Sequence, residues 1–564
     1  MYPGFSGAAP SGVSQCLGPL TGGVAVVRCC RDACASTSCN YTDCVAPNPN
    51  ADVRPELYEG DSNDACGTET ANSIEDRVCV CKKGADAEEC SSLGTSVGYQ
   101  LQGGGDSCLV VDCGGRDLKV LPIFPSGTTK LDLQNNPKLT AMNIGALGSA
   151  GEFDNLAETT WLYVQNVNIS SIAPFAFSKM VSLASLEIGF TNLISIHKDA
   201  FQGLIALDTL VFSDNAVLES IESGALGEAS NLKSIIFTTC ERFKFVSRGF
   251  QQMRNLETFT ANNCAGITNI PYRLFDGSGS LKSITFEFNG NLAEIESGAF
   301  NGAGSVEELR MIELGMMTQL NSATSDPFNG LSGLKTLVIK NSVGNGGLTA
   351  IQSSDFQALS ALEHVELDIA ALVSLGEGVF SGMQNLKTVA ILRAAGMGSL
   401  PSTLFAGVQA TVEEISLAGL GIESPHLNGL FDGLARLQFL EISCCQAVTT
   451  IAKDQFYDCT SLEKMIISNN DALTSVEPGA FTNLKSLHHL GVTDNFALAR
   501  LESGTFDHAF DDEASSVVIN LEGNGIRFMS PRAVNFDADG APSQTIVVIN
   551  SAAGTNLDAC CAFE

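Results

Sequence analysis

Cysteine is the residue type whose number and spacing in this sequence most clearly imply chemistry. Twelve of the 19 cysteines fall within the first 113 residues, in a stretch rich in Gly, Ser and Asp. An even number in such a segment predicts a disulfide framework, which forms in an oxidising compartment. Zinc ligation is the alternative, but there is no CxxC pair and the first histidine is His197. The disulfide candidates are Cys16, Cys29, Cys30, Cys34, Cys39, Cys44, Cys66, Cys79, Cys81, Cys90, Cys108 and Cys113.

No other residues are spaced for catalysis or for a cofactor. The sequence lacks GxSxG, HExxH, Walker A and dinucleotide-binding glycine motifs, and its six histidines are scattered. We therefore expect a protein that is not an enzyme and has no cofactor. Residues 535–540 match the opening of a calcium loop, but Ile546 stands where an EF-hand needs a glutamate. An ordinary Asp-Gly turn is the favoured interpretation, with calcium binding as the alternative.

Several features predict an extracellular protein, either secreted or on the cell surface. The sequons at Asn40 and Asn168 are candidate glycosylation sites, which occur in the same oxidising compartment. The first residues have neither the basic nor the apolar region of a signal peptide. There is also no run of 18 apolar residues, so we expect no membrane-spanning segment.

The charge balance is strongly acidic and limits the choice of partners. The 63 acidic and 31 basic residues give a net charge of −32. Nucleic acid and anionic membranes both need a basic surface, so neither is an expected partner. A basic protein, a cation or a neutral glycan is compatible with this charge.

A single motif, L-x-x-L-x-L-x-x-N, recurs from about residue 128 almost to the end of the sequence. One copy runs from Leu281 through Ile284 and Phe286 to Asn289. Most copies are 24 or 25 residues apart, within the 20–29 residues of a leucine-rich repeat. The asparagine-type positions are residues 136, 167, 191, 215, 240, 264, 289, 314, 342, 370, 394, 420, 445, 470, 495 and 524.

The motif predicts a stack of coils with parallel strands on one face. Leucine-type positions point inward, and the residues between them form a solvent-facing concave sheet. Cys240, Cys264 and Cys445 occupy the asparagine position and Cys459 a buried leucine position, so we expect structural free thiols there, although Cys240 and Cys264 lie close enough for a disulfide. A phenylalanine in the second half of most coils should stack into an internal spine: Phe177, Phe201, Phe250, Phe275, Phe300, Phe328, Phe356, Phe380, Phe405, Phe431, Phe456, Phe481 and Phe506.

The chain resembles the leucine-rich-repeat superfamily, in particular the extracellular, phenylalanine-containing type. Residues 470–487 look like repeats of animal receptor ectodomains and also resemble BspA-like surface proteins. The resemblance implies an α/β leucine-rich-repeat solenoid: a curved horseshoe with a parallel concave β-sheet and short helical, 3-10 or irregular convex segments. Residues 108–113 and the leucines after them are similar to a cysteine-flanked cap. The predicted parts are a cysteine-rich acidic module at 1–107, a cap at 108–130, about 16 repeats at 131–540, and a terminal strand and tail at 541–564.

The concave face is the default binding face of such a solenoid, so its outward residues are the candidate contacts. Serine and threonine dominate the first half of this face, whereas charged and aromatic residues appear from Glu308 onwards. Trp161, the only tryptophan, and Tyr163 form a second candidate on an early coil. The predicted contacts are Glu308, Arg310, His364, Glu366, Asp368, Arg393, Phe439, Glu441, Lys464, His489, Trp161 and Tyr163.

The function predicted from these features is recognition or adhesion through the concave face, with a protein or a glycan as ligand. The alternative is a structural component of an extracellular matrix, cell wall or surface appendage that self-associates. Both follow from the resemblance and from the outward residues, and neither identifies a particular partner.

Overall fold

The computed structural model describes most of the repeat region. It divides the chain into two compact units, residues 1–76 with 84–88 and residues 77–83 with 89–564, and every described residue belongs to the second unit. Asn40, the loop 535–540 and, except for Cys113, the side chains of the predicted disulfide cysteines lie outside the described residues. The described residues are 110–121, 124, 126–140, 147–148, 151–227, 229–320, 326–342, 347–506, 509, 517–530 and 533, with the backbone of 80–82 and 545–548.

One sheet of 19 strands runs through the described coils. Its neighbouring strands are parallel except at the start, where Val80–Lys82 pairs antiparallel with Val110–Asp112. The strands are Val80–Lys82, Val110–Asp112, Lys130–Asp132, Trp161–Gln165, Ser185–Gly189, Thr209–Ser213, Ser234–Thr238, Thr258–Asn262, Ser283–Glu287, Glu308–Ile312, Thr336–Asn341, His364–Ile369, Thr388–Leu392, Glu414–Ala418, Phe439–Ser443, Lys464–Ser468, His489–Thr493, Val517–Asn520 and Thr545–Val548.

The return segments of the coils contain little regular structure. Within the described residues there is no α-helix, and the 3-10 helices are Ser353–Phe356 and Ser424–Leu427. The convex segments are therefore of the 3-10 and irregular kinds that the resemblance implied. Short strands pair in parallel between neighbouring coils: Asn136–Thr140 with Val167–Asn168, Ser195–Ile196 with Ser220–Ile221, Asn269–Ile270 with Glu294–Ile295, Ala350–Ile351 with Ser374–Leu375, Thr450–Ile451 with Ser475–Val476, and Arg500–Leu501 with Phe528–Met529.

Each strand of the main sheet whose side chains are described has one buried and one outward side. In Ser283–Glu287, Ile284 and Phe286 are buried while the other three residues are half-exposed, because side chains alternate along a strand. Burying such a side chain contributes about 1.5–3 kcal/mol. The buried residues form one continuous core from Val111 to Ala533.

The phenylalanine spine is present inside the coils. Ring centroids of consecutive members lie 5.4–6.4 Å apart wherever their rings are in contact. Phe124 and Phe153 extend the spine before Phe177, with centroid distances of 6.3 and 5.6 Å. The prediction was thus correct for these members, but it missed the first two because their coils depart from the motif.

The asparagine position is a buried niche that joins neighbouring coils. The Asn289 Nδ2 donates to the Ala261 carbonyl at 2.8 Å, and its Oδ1 accepts from the Cys264 N–H at 2.8 Å. Both backbone groups leave the strand ladder in a dry interior, where an unpaired polar group is costly. In most coils the residue before the niche has a positive φ, such as Phe288 at 54°, and this turns the chain out of the sheet.

In two coils the niche lies one residue earlier than the motif predicts. The buried residues are Asn341 and Ile369, whereas the predicted positions 342 and 370 are not buried. Their strands have six residues instead of five, and no residue with positive φ ends them. Because the turn is missing, the strand continues by one residue and the alternation places that residue inside.

We expect Asn289→Ala to lower the free energy of unfolding by about 3 kcal/mol, because each buried backbone group left unpaired costs about 1–3 kcal/mol. Urea denaturation followed by circular dichroism measures the change. Asn263→Gly is the matched control: Asn263 is exposed with a φ of 54°, a conformation that glycine adopts freely. Equal losses for the two variants would contradict the role of the niche.

Candidate ligand-binding face

The strand registers align the outward side chains in columns across the sheet. Ser283 pairs with Glu308, which pairs with Thr336 and then with His364, and the third residues of these strands form a parallel column. Neighbouring members of a column are about 4.8 Å apart, the spacing of paired strands. The outward residues identified from the repeat therefore form continuous columns in the structure.

The predicted charges between Glu308 and Arg393 are largely paired with one another. Arg310 Nη1 lies 3.4 Å from Glu308 Oε1 on the same strand. Lys340, which the sequence analysis did not select, places its Nζ 2.8 Å from Glu366 Oε1 on the next strand. These contacts neutralise this part of the sheet and reduce the charge that it offers to a ligand.

Asp368 and Arg393 form the most buried of these pairs. Arg393 follows the strand Thr388–Leu392 with a φ of 57°, which directs its guanidinium back over the sheet. Its Nη2 donates to Asp368 Oδ2 at 2.7 Å, and its Nε donates to Oδ1. Only 9% of the Asp368 side chain is exposed, and the hydrogen bond to Asp368 raises the pKa of Arg393. The geometry favours a structural ion pair over a ligand contact at these two residues.

A less neutralised column lies near the end of the described sheet. Glu414, Phe439, Lys464 and His489 are paired in register on four consecutive strands. The Lys464 Nζ lies 5.5 Å from the centre of the half-exposed Phe439 ring, a cation–π contact. Within the described coils, neither Lys464 nor His489 forms an ion pair. We call these four residues the open column.

Glu441 lies beside the open column with a fixed carboxylate. The Ser416 Oγ donates to Glu441 Oε2 at 2.7 Å, and the Ser443 Oγ donates to Oε1 at 2.8 Å. Two hydroxyl donors orient the acid while part of it remains exposed to solvent. His364, in contrast, is exposed at the start of its own strand, three strands before Phe439 in the sheet.

The aromatic pair on the early coil is separate from the open column. The Trp161 and Tyr163 rings lie 4.2 Å apart on one strand, and Tyr163 is in register with Asp132 and Glu187 on the two neighbouring strands. Eleven strand steps separate Trp161 from Phe439, a distance of about 50 Å along the sheet. The structure therefore divides the predicted contacts into two candidate sites.

Two phenylalanines on the edge of the sheet were missed by the sequence analysis. Phe190 and Phe288 end their strands with φ values of 49° and 54°, and both are more than half exposed. Positive φ is unfavourable for a bulky residue, and most other coils have Asp, Asn or Gly at this turn. The sequence feature that could have identified these two phenylalanines is an aromatic residue at the turn directly after the strand of the motif.

Four cysteines in the described coils are free and buried: Cys240, Cys264, Cys445 and Cys459. The prediction of structural free thiols is confirmed for them. Burial raises the pKa of Cys445 and that of Cys459 to about 12. The Cys445 N–H donates to Asn470 Oδ1 at 2.8 Å, which places Cys445 in the niche row. Cys113 and Cys444 are disulfide-bonded.

The described residues hold no group of three or more His, Cys, Asp or Glu side chains arranged to bind a metal ion. None of the described segments forms a helix with the length and apolarity needed to cross a bilayer. Asn168 is exposed, and its Oδ1 accepts a hydrogen bond from Asn192 Nδ2. Its glycosylation stays a prediction.

These geometries define a repeat-built β-solenoid with an open sheet face. The leucine rich repeat model matches residues 157–217 and 435–496, and the model of the BspA type leucine rich repeat region matches residues 244–348 and 308–419. The two models together span more than half of the chain. The chain belongs to the leucine-rich-repeat superfamily.

Individual relatives are more distant. Lumican of Gallus gallus is 25% identical over 209 residues, which are 31% of this chain and 55% of lumican. The chain thus spans little more than half of that relative. Tsukushi of Gallus gallus is 24% identical over 288 residues, which are 50% of this chain and 72% of tsukushi. The structure of the Drosophila Toll–Spätzle complex aligns with a TM-score of 0.45 and 14% identity, over 78% of this chain and 66% of the aligned one.

Alkaline pH should destabilise the fold through its buried thiols. A thiol with a raised pKa keeps its proton in the folded state while the unfolded state ionises near pH 9, so its stabilising contribution is full below pH 9 and is lost as pH rises towards 12. We expect a loss of about 1 kcal/mol per thiol between pH 9 and pH 10. Cys459→Val should remove its share, as measured by urea denaturation at both pH values. An identical pH dependence in wild type and variant would contradict burial of a titrating thiol.

The Asp368–Arg393 pair should contribute more to stability than an exposed pair of the same sheet. We expect Arg393→Gly to cost about 2–3 kcal/mol, because it leaves a buried carboxylate without its partner. Adding Asp368→Asn should recover at least half of that loss, measured by thermal and urea unfolding. Arg310→Ala is the control, with an expected cost below about 1 kcal/mol for an exposed pair. A loss for Arg393→Gly no larger than for Arg310→Ala would refute the structural assignment.

Proposed function

We propose that the solenoid is an extracellular recognition module that binds a protein ligand through its concave sheet, with the open column at the centre of the contact. The observation that carries this proposal is the contrast along the sheet. Charges from Glu308 to Arg393 pair with one another, whereas the open column presents an aromatic ring, an ammonium, an imidazole and a carboxylate to solvent.

The composition of the open column suits a protein partner. Protein interfaces are enriched in aromatic residues at the centre and are polar at the rim. Phe439 can act as the anchor, with Lys464 and Glu414 on either side offering charges of opposite sign. Two depressions of the described surface, one lined by Pro401 and His426 and the other by Asn231 and Asn255, contain none of the residues of the open column. A glycan would bind to the same open surface, so the binding experiment described below also tests glycans.

The proposal includes an extracellular location for the protein. Disulfides at Cys113 and Cys444, together with the dense cysteines before residue 113, support an oxidising environment outside the cytosol. The net charge of −32 favours basic or neutral partners and opposes nucleic acid. We infer a binding protein with no catalytic activity of its own.

Substitution of Phe439 should abolish ligand binding without unfolding the protein. A display library of secreted proteins and a glycan array identify the ligand, and surface plasmon resonance then measures Kd. We expect Phe439→Ala to weaken binding by about 30-fold or more, as for a central aromatic anchor. His489→Ala should weaken it to a lesser degree.

Ser185→Ala is the matched control, because Ser185 has the same strand position in the bland half of the sheet. The affinity of this variant for the ligand should stay within a factor of about two of the wild-type value, as expected for a surface residue outside a hot spot. A glycan that binds in place of a protein would correct the ligand class. A ligand whose affinity is unchanged by Phe439→Ala would refute the proposed site.

A further inference from the structure

The residue immediately before each concave strand alternates in charge over nine consecutive coils. These residues have exposed or half-exposed side chains along one edge of the sheet, and we call the row the charge ladder. The charge ladder consists of Asp208, Lys233, Glu257, Lys282, Glu307, Lys335, Glu363, Lys387 and Glu413.

Backbone hydrogen bonds fix the spacing of the ladder. The Lys233 N–H donates to the Asp208 carbonyl at 2.8 Å, and the Glu257 N–H donates to the Lys233 carbonyl at 2.8 Å. The same bond repeats up to Glu413, so each member lies one coil from the next. Eight steps of about 4.8 Å make a row of about 38 Å along the edge of the sheet.

Some of the ladder charges are paired within the chain. Lysine Nζ atoms lie 2.6 Å from Asp208, 3.0 Å from Glu307 and 2.6 Å from Glu363, each on the preceding coil. Such exposed pairs contribute at most about 1 kcal/mol each, so they can exchange partners at little cost. Lys282 and Glu257, in the middle of the row, form no ion pair in the described part of the chain.

The first eight residues of the charge ladder are together neutral in a chain that is otherwise strongly acidic. The eight residues from Asp208 to Lys387 contain four acids and four bases, against a net charge of −32 for the whole chain. Two copies of so acidic a protein repel each other over most of their surfaces. A neutral, patterned edge removes that repulsion locally.

The eight residues from Asp208 to Lys387 form an alternating row with an even number of charges, and such a row is complementary to its own reverse. We propose that two copies of this chain associate side by side and antiparallel through their charge ladders, about a two-fold axis between Lys282 and Glu307. Each contact is then made twice, as in any isologous interface. The pairs across the interface are Asp208 with Lys387, Lys233 with Glu363, Glu257 with Lys335, and Lys282 with Glu307.

Asparagine side chains beside the charge ladder can accept hydrogen bonds from the opposing copy. A depression lined by Asp208, Lys233 and Glu257 also includes Asn231 and Asn255. The Nδ2 atoms of these asparagines donate to the Ile205 and Ser230 carbonyls at 2.6 Å, which leaves their side-chain oxygens free to accept. Lysines of the opposing copy would meet these acceptors next to the acids.

Charge reversal next to the axis tests the proposal with the full chain as its own probe. Lys282→Glu alone places Glu against Glu across the axis, and Glu307→Lys alone places Lys against Lys. An equal mixture of the two variants restores both pairs, because one copy then carries two acids where the other carries two bases. Analytical ultracentrifugation at about 20 mM NaCl, where charges act over about 20 Å, measures the association.

We expect wild type to dimerise, each single variant to bind itself at least about tenfold more weakly, and the mixture to dimerise like wild type. Raising NaCl to about 500 mM should dissociate the wild-type dimer, because exposed charges are then screened. The controls are Lys453→Glu and Glu502→Lys, exposed charges outside the ladder, and they should change nothing. Circular dichroism of each variant verifies the fold.

Two results would overturn the proposal: wild type that stays monomeric at low salt, or a mixture that associates no better than its components. The mixture separates a contact between copies from a local effect on the fold, because a folding defect is not repaired by a second chain. Phe439→Ala should leave the dimer intact, so failure of the concave ligand site and failure of the ladder contact are distinguishable.

Discussion

The structure depends on how each coil satisfies the backbone groups that leave the sheet in its dry interior. Where the niche residue is asparagine, as at Asn289 and Asn470, its side chain binds an N–H and a carbonyl of the preceding coil that leave the sheet at the end of a concave strand. This contact can form only when successive coils lie directly above one another. It therefore requires the 24- or 25-residue repeat, the parallel register and the continuous core, and none of these is stable in an isolated coil.

These core contacts do not involve the outward residues, which can therefore vary. The arrangement of charged residues on the outside differs from one part of the sheet to another. On the middle strands, Asp368 with Arg393 and Lys340 with Glu366 neutralise one another over the concave sheet. Along the strand-entry edge, opposite charges alternate from coil to coil. Only towards the end of the sheet does a column remain with a half-exposed ring and with a lysine and a histidine that have no acidic partner in the described coils.

Much of this could be predicted from the sequence, because the repeat fixes which residues are equivalent. Phe300 and Cys264 were assigned to the core and to the niche by their motif positions alone, and the columns of outward residues followed from the same alignment. The strand Val80–Lys82 could not be predicted, since it lies outside the repeat and pairs antiparallel. Contacts between coils were also missed: the Glu296 Oε2, for example, accepts the Tyr272 N–H of the preceding coil at 2.8 Å. Such contacts depend on where a turn directs a side chain, as at Arg393, and residue type does not reveal that direction.

The central functional claim is that the open column, and not the convex side or the paired middle of the sheet, meets the ligand. Hydroxyl-radical footprinting of the free and ligand-bound protein reads it directly, because phenylalanine and histidine side chains react and solvent exposure controls their oxidation. We expect ligand binding to protect Phe439 and His489 while the exposed Phe528 and Tyr457 keep their reactivity. Protection of Phe528 or Tyr457, with Phe439 and His489 unchanged, would contradict it.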